Sequence, residues 1–161
     1  MAWTTPRTWV AGETVTAALL NTHLRDNLNA LTTLTSFTPT WGNTGTANTL
    51  GNGTLSGGYI TANDLVFFQI LLAWGSTTAS GSGNWTFTVP ITSTSFGAHL
   101  AEVLYFDSSA SANYRGVGIN VSTTVIQPVT NASPVAAITS TSPFTWAQSD
   151  SLSISGFYFA A

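Results

Sequence analysis

Helical periodicity in this chain is confined to one short stretch. Leu20, Leu24, Leu28, Leu31 and Leu34 recur at spacings of three and four, which sets them on one stripe of a helix. Thr14 or Thr16 offers an N-cap hydroxyl to an otherwise unpaired backbone N–H. Glu13 suits the positive end of the helix dipole. The spacing predicts a helix of roughly 18 residues, about 27 Å long, and an isolated helix of that length is marginal in water. Its stripe must therefore pack on the rest of the chain, on sister helices or on another surface. Burying the leucines is worth very roughly 8–15 kcal/mol before entropy costs. Asn27 lies along the same seam, and a buried Asn there costs stability but fixes register and strand number in a helical bundle. Leu20, Leu24, Asn27, Leu31 and Leu34 are thus the candidate stem contacts.

Beyond the stripe the pattern changes to short strands between turn clusters. Residues 37–58 are rich in Gly, Asn and Thr and read as loop. Strands are expected at Tyr59–Thr61, Leu65–Trp74, Trp85–Ile91, Phe96–Phe106, Tyr114–Val121, Thr123–Val129, Val135–Thr139 and Ser151–Phe159. Pro128 suits an edge strand. Residues 1–35 form an N-terminal segment with its helix, and residues 36–161 a β domain. The fold class is mainly β, a jelly-roll-like β-sandwich preceded by a short α-helical stem. Leu65–Trp74 is apolar on both faces, so a second cover is required, and a subunit interface would supply it.

Charge is scarce in this composition. Charged residues make up 6% of the chain, against about 25% in an ordinary soluble domain. Lys is absent, and Arg7, Arg25 and Arg115 are the basic side chains. Nucleic-acid binding by a basic patch is therefore not expected. Six Trp, nine Phe and four Tyr suffice for a core and argue against disorder. Without Cys there is neither a disulfide framework nor a thiolate metal site. The start MAWTTPR lacks the features of a secretory signal. Leu65–Trp74 falls well short of the ~20 apolar residues of a membrane span. The expectation is a soluble protein made in a cytoplasm and exported, if at all, within a particle, with no membrane contact.

Side chains for catalysis are few. Asp64 and Asp107 sit in turn-like sequence, where Asp caps backbone N–H groups, and Glu102 on a strand reads as an interface hydrogen-bonding group, the alternative being, with the loop Asp residues, the carboxylate of a glycan-degrading enzyme. His23 and His99 lack any HxH, HxxxH or HExxH spacing, so no metal site is expected. No GxSxG elbow occurs among the many serines. The Gly51-Asn52-Gly53 and Gly116-Val117-Gly118 segments open no helix and make no phosphate loop. No enzyme activity and no cofactor are expected. Trp41 and Trp146, with turn residues around them, are the candidate exposed tryptophans, able to stack on sugar rings.

The strings WTTPR, W, GETVT, LN and RDNLNAL, spanning Trp3–Arg7, Trp9, Gly12–Thr16, Leu20–Asn21 and Arg25–Leu31, resemble the N-terminal attachment segment of small virion proteins of tailed bacteriophages. That group includes decoration, head-fibre and minor tail proteins. The stretch GNGTLSGGYITANDLVFFQILLAWGSTTASGSGNWTFTVP is similar in pattern to their short β-sandwich heads. The resemblance implies a non-enzymatic structural protein whose β heads associate as a homotrimer. Its N-terminal segment would dock onto the major capsid protein or a tail protein through Trp3, Pro6, Trp9, Leu20, Asn21, Arg25, Asp26 and Leu28. Arg25 and Asp26 would bond to neighbouring chains. Localisation would be the virion, assembled in the host bacterial cytoplasm. Capsid decoration or a head fibre is the leading expectation. The alternative is a tail-fibre or tail-tip receptor-binding module that grips host glycans through Trp41 and Trp146.

Overall fold

A computed structural model describes residues 4–94 and 99–161. The molecule is mainly β. Its strands are β1 (Thr35–Phe37), β2 (Trp41–Asn43), β3 (Thr54–Ala62), β4 (Leu65–Ala73), β5 (Trp85–Thr88), β6 (His99–Asp107), β7 (Ala112–Ser122), β8 (Val125–Thr130) and β9 (Ser151–Phe159). They form one antiparallel sheet of order β1-β3-β4-β9-β6-β7-β8-β5-β2. The strand last in sequence thus lies in the interior of the sheet, pairing β4 from Leu65↔Phe159 to Ala73↔Ser151 and β6 from Ala101↔Gly156 to Phe106↔Ser151.

Alternation creates the inner face. On β4, Val66, Phe68, Ile70 and Leu72 point inward, and Ala101, Val103 and Tyr105 on β6 and Leu152, Ile154 and Tyr158 on β9 continue their rows. The sheet curls until Trp41 on the β2 edge meets Trp74 just past β4, with ring centroids 5.6 Å apart. The two halves therefore enclose one core in the manner of a sandwich. Trp85 and Phe87 on β5 and Ile126 on β8 supply the opposite wall, all fully buried.

Aromatic rings fill the closed end. Trp85 lies 4.9 Å from Trp41, 5.7 Å from Trp74 and 4.7 Å from Trp146. Phe144 then carries the contact from Trp146 to Tyr114. The Tyr105 hydroxyl donates to the Val129 carbonyl at 3.0 Å, and burial pushes its pKa up. A side chain at Gly116 would strike that same hydroxyl and carbonyl, so glycine leaves the space for this bond. Tyr158 donates to the Ile91 carbonyl at 2.7 Å, and burial pushes its pKa up to about 12.

Several strand expectations need correction. Residues 37–58 are not simply loop: they contain β2 and the first half of β3. Gly57 and Gly58 hide the strand in sequence, yet they are what lets Phe37 and Leu34 lie against β3, because a Cβ would collide with either side chain. Val135–Thr139 forms only isolated bridges, Val129↔Ala137 and Thr139↔Ser142. Strand β8 is interior, between β7 and β5. Pro128 stands opposite Gly118 on β7, and on its other side, where its carbonyl accepts from the Ile138 N–H, β5 pairs only with Val125 and Ile126, so no β5 ladder bond needs a proline N–H. The expected strand at Phe96–Phe106 is β6 from His99 onward, and its first part, Phe96–Ala98, lies outside the described residues.

Of the two expected Asp caps, the one at Asp107 is present. The Asp107 carboxylate accepts from the Ser109 N–H and hydroxyl and from the Ala110 N–H. Those bonds hold its pKa below the usual carboxylate range, with the Ser109 hydroxyl foremost. Asp150, almost fully buried, accepts from Ser108 and from the Ala147 N–H at 2.7 Å.

Candidate functional site

The stem is helical from Ala17 to Thr32, but not uniformly so. An α turn (Ala17–Leu20) runs into a π-helical segment (Asn21–Arg25) and then a second α segment (Asp26–Thr32). Thr16 is the N-cap, its hydroxyl accepting from the Leu19 N–H at 3.3 Å. The wide turn is marked by the Asp26 N–H bonding back to the Asn21 carbonyl. Such bulges insert one residue into a helix and rotate the turns beyond it.

One flank of the helix is occupied by the chain's own N-terminal arm. The Asn27 side chain, 5% exposed, accepts from the Thr4 N–H at 2.9 Å and donates to the Thr4 carbonyl at 2.8 Å and the His23 carbonyl at 3.2 Å. Trp9 meets the His23 ring edge-on at 6.5 Å. Arg7 stands over the Trp9 ring and pairs with Glu13 at 2.5 Å. Asn27 is thus the clasp that ties the arm to the helix within the chain.

Replacing Asn27 with Ala should free the arm while leaving the β body intact. Two bonds to Thr4, each worth about 0.5–1.5 kcal/mol, would be lost. Amide exchange at Thr4 and its neighbours should quicken roughly tenfold or more, read by hydrogen-exchange mass spectrometry. Unchanged exchange would mean that the arm is held by other contacts.

The adjoining flank is bare. Leu20, Leu24, Leu28, Leu31 and Leu34 are 43%, 56%, 56%, 40% and 64% exposed. The helix touches its own domain through its second α segment against β3, and Leu34 leans on Gly58. The stripe is thus not consumed by folding back on the β domain.

The other candidate attachment residues fall on both sides of this division. Trp3 lies outside the described residues. Pro6 and Asn21 are exposed and Trp9 is 43% exposed. Arg25 and Asp26 bond each other, Nε and Nη2 both 2.8 Å from Oδ1. Trp41 and Trp146 are buried, at 9% and 7% exposure, inside the aromatic cluster. Turn residues flank them because the chain bends there, yet the bends point both indoles inward. Neither can stack on a sugar.

The outer face of β3-β4-β9-β6-β7 extends the second apolar face expected of Leu65–Trp74. Phe67 and Phe157, 5.9 Å apart across β4 and β9, are 48% and 59% exposed. With Leu34, Ile60, Gln69 and Glu102 they line an open groove of about 630 Å³. The available signal was the apolar run on β4, whose outward Phe67 and Leu71 have no cover. Among the described residues no cluster of His, Asp and Glu could hold a metal ion, and no helix is long and apolar enough to cross a membrane.

The chain matches no family model, no curated protein and no solved structure. Two uncovered apolar surfaces, the leucine stripe and the outer sheet face, are therefore the functional features that its own geometry offers.

Proposed function

We propose that this chain is a non-enzymatic structural subunit of a tailed-bacteriophage virion, a homotrimeric capsid decoration or head-fibre protein anchored through its N-terminal segment. The observation that carries this reading is the bare leucine stripe. A helix too short to persist alone holds four leucines, Leu20, Leu24, Leu28 and Leu31, in solvent and uses its other flank to clasp its own arm. Such a stripe is built to be covered by something outside the chain. The phage assignment is supported by the resemblance of Trp3–Arg7, Trp9 and Arg25–Leu31 to virion attachment segments. Binding only the assembled shell would stabilise it by mass action, RT ln(1 + [L]/Kd) at each site.

Gold-labelled antibody against this chain, applied to particles from a lysate that contains it, tests the reading. Label over the heads is expected. Label confined to the tail tip would overturn the capsid assignment, and no label on any particle would overturn the virion assignment itself. The glycan-binding alternative has lost its motive, because Trp41 and Trp146 are interior.

A further inference from the structure

We infer that the outer face of β4, β9, β6 and β7 is the surface on which a second copy of this chain packs, with Glu102 of one copy paired to Arg115 of the next. The inference deepens the structural-subunit reading and rests on it for the expectation that the chain self-associates.

Charge placement identifies the occupant. The chain has three basic and six acidic residues, and most are already engaged. Arg7 pairs with Glu13 and Arg25 with Asp26, while Asp107 and Asp150 accept hydrogen bonds from nearby serines and backbone. Asp64 sits in the β3–β4 turn. Glu102 and Arg115 remain, both exposed and both on the outer face. Glu102 is in register with Val117 and Leu104 with Arg115, so the two charges stand diagonally on adjacent strands. Among the described residues neither forms an ion pair.

Their surroundings are those of a contact rather than of a solvated face. Phe67 and Phe157 are about half exposed to one side and Leu104 is 41% exposed to the other. Between them, Gln69 and Ser155 occupy the same row as Glu102, and neither makes a side-chain hydrogen bond among the described residues. Apolar area, unused hydrogen-bonding groups and one charge of each sign are thus presented together. An unrelated partner would need its own matched acid and base at this spacing. A second copy already carries them.

The chain exposes 8725 Å², about 1,100 Å² more than the roughly 7,600 Å² of a compact monomer of 16.8 kDa, an excess to which the bare helix and the outer sheet face both contribute. A standard interface removes about 800 Å² from each partner. Because the acid and the base are different residues on one face, every copy offers both partners of the contact. Burying either charge without the other is costly, so the pair also sets the register.

A charge swap tests this. The full chain and its Glu102→Arg, Arg115→Glu and doubly swapped variants are compared by sedimentation over a concentration series, with circular dichroism as the control for folding. The wild type is expected to self-associate, each single variant to do so at least tenfold more weakly, and the double variant to recover to within a few-fold. A monomeric wild type, single variants that associate normally, or a double variant as weak as the two singles combined would each overturn the proposal. Gold-labelled virions together with charge-insensitive association would sink this interface but leave the virion reading. Charge-swap rescue without labelled particles would do the reverse.

Discussion

Trp85→Ala should be the most destabilising single substitution in the β body. Trp85 is fully buried and its ring touches Trp41, Trp74 and Trp146. It therefore joins the β2 edge, the end of β4 and the segment before β9. Truncating a core Trp costs about 3–5 kcal/mol, because the cavity only partly collapses. For a domain of this size that is a fall in melting temperature of roughly 6–20 °C. Thermal melts at equal protein concentration would measure it, since association itself shifts the midpoint. A fall of only a degree or two would mean that the closed end of the sandwich contributes little to stability. Trp85→Phe should lose much less, because it keeps an aromatic ring in the stack.

Leu24→Glu with Leu28→Glu should abolish attachment without unfolding the chain. Both leucines are 56% exposed, and Glu is nearly as good a helix former as Leu. The β body should therefore melt where the wild type does. Docking would lose the burial of both leucines and would have to desolvate two carboxylates. The expected loss is about 3–4 kcal/mol, or roughly 10²–10³-fold in affinity. Co-sedimentation of the full chain with particles stripped of it gives the comparison. Undiminished binding would show that the stripe is not the attachment surface, however bare it is in the single chain.

The helix was legible because its signals are local. Leucine spacing and the Thr16 cap need only neighbours a turn away. The β4 and β9 strands were legible for the same reason, since their alternation lies within one segment. Strand β2 was not legible, because Trp41-Gly42-Asn43 becomes a strand only when Thr86 and its neighbours on β5 come alongside. Gly57 and Gly58 likewise read as loop until β4 and Phe37 are in place. The outward face of β4 was anticipated in outline, as a run needing cover on both sides. Its charged pair was not, because Glu102 and Arg115 are brought together only by the register of β6 with β7.

By itself the sequence determined that this protein is mainly β, that it carries a short amphipathic helix ahead of the strands, and that it has almost no charge. These properties come from composition and from periods of two and of three to four residues, which act over a few residues. The tertiary structure alone decided which way each ambiguous side chain faces. It turned Trp41 and Trp146 inward, where bends in the chain direct them against Trp85. It bonded the Asn27 amide to the Thr4 backbone, which lies 23 residues away in sequence. It left the leucines and the outer sheet face uncovered, because one core with one closed end had no further surface to place over them.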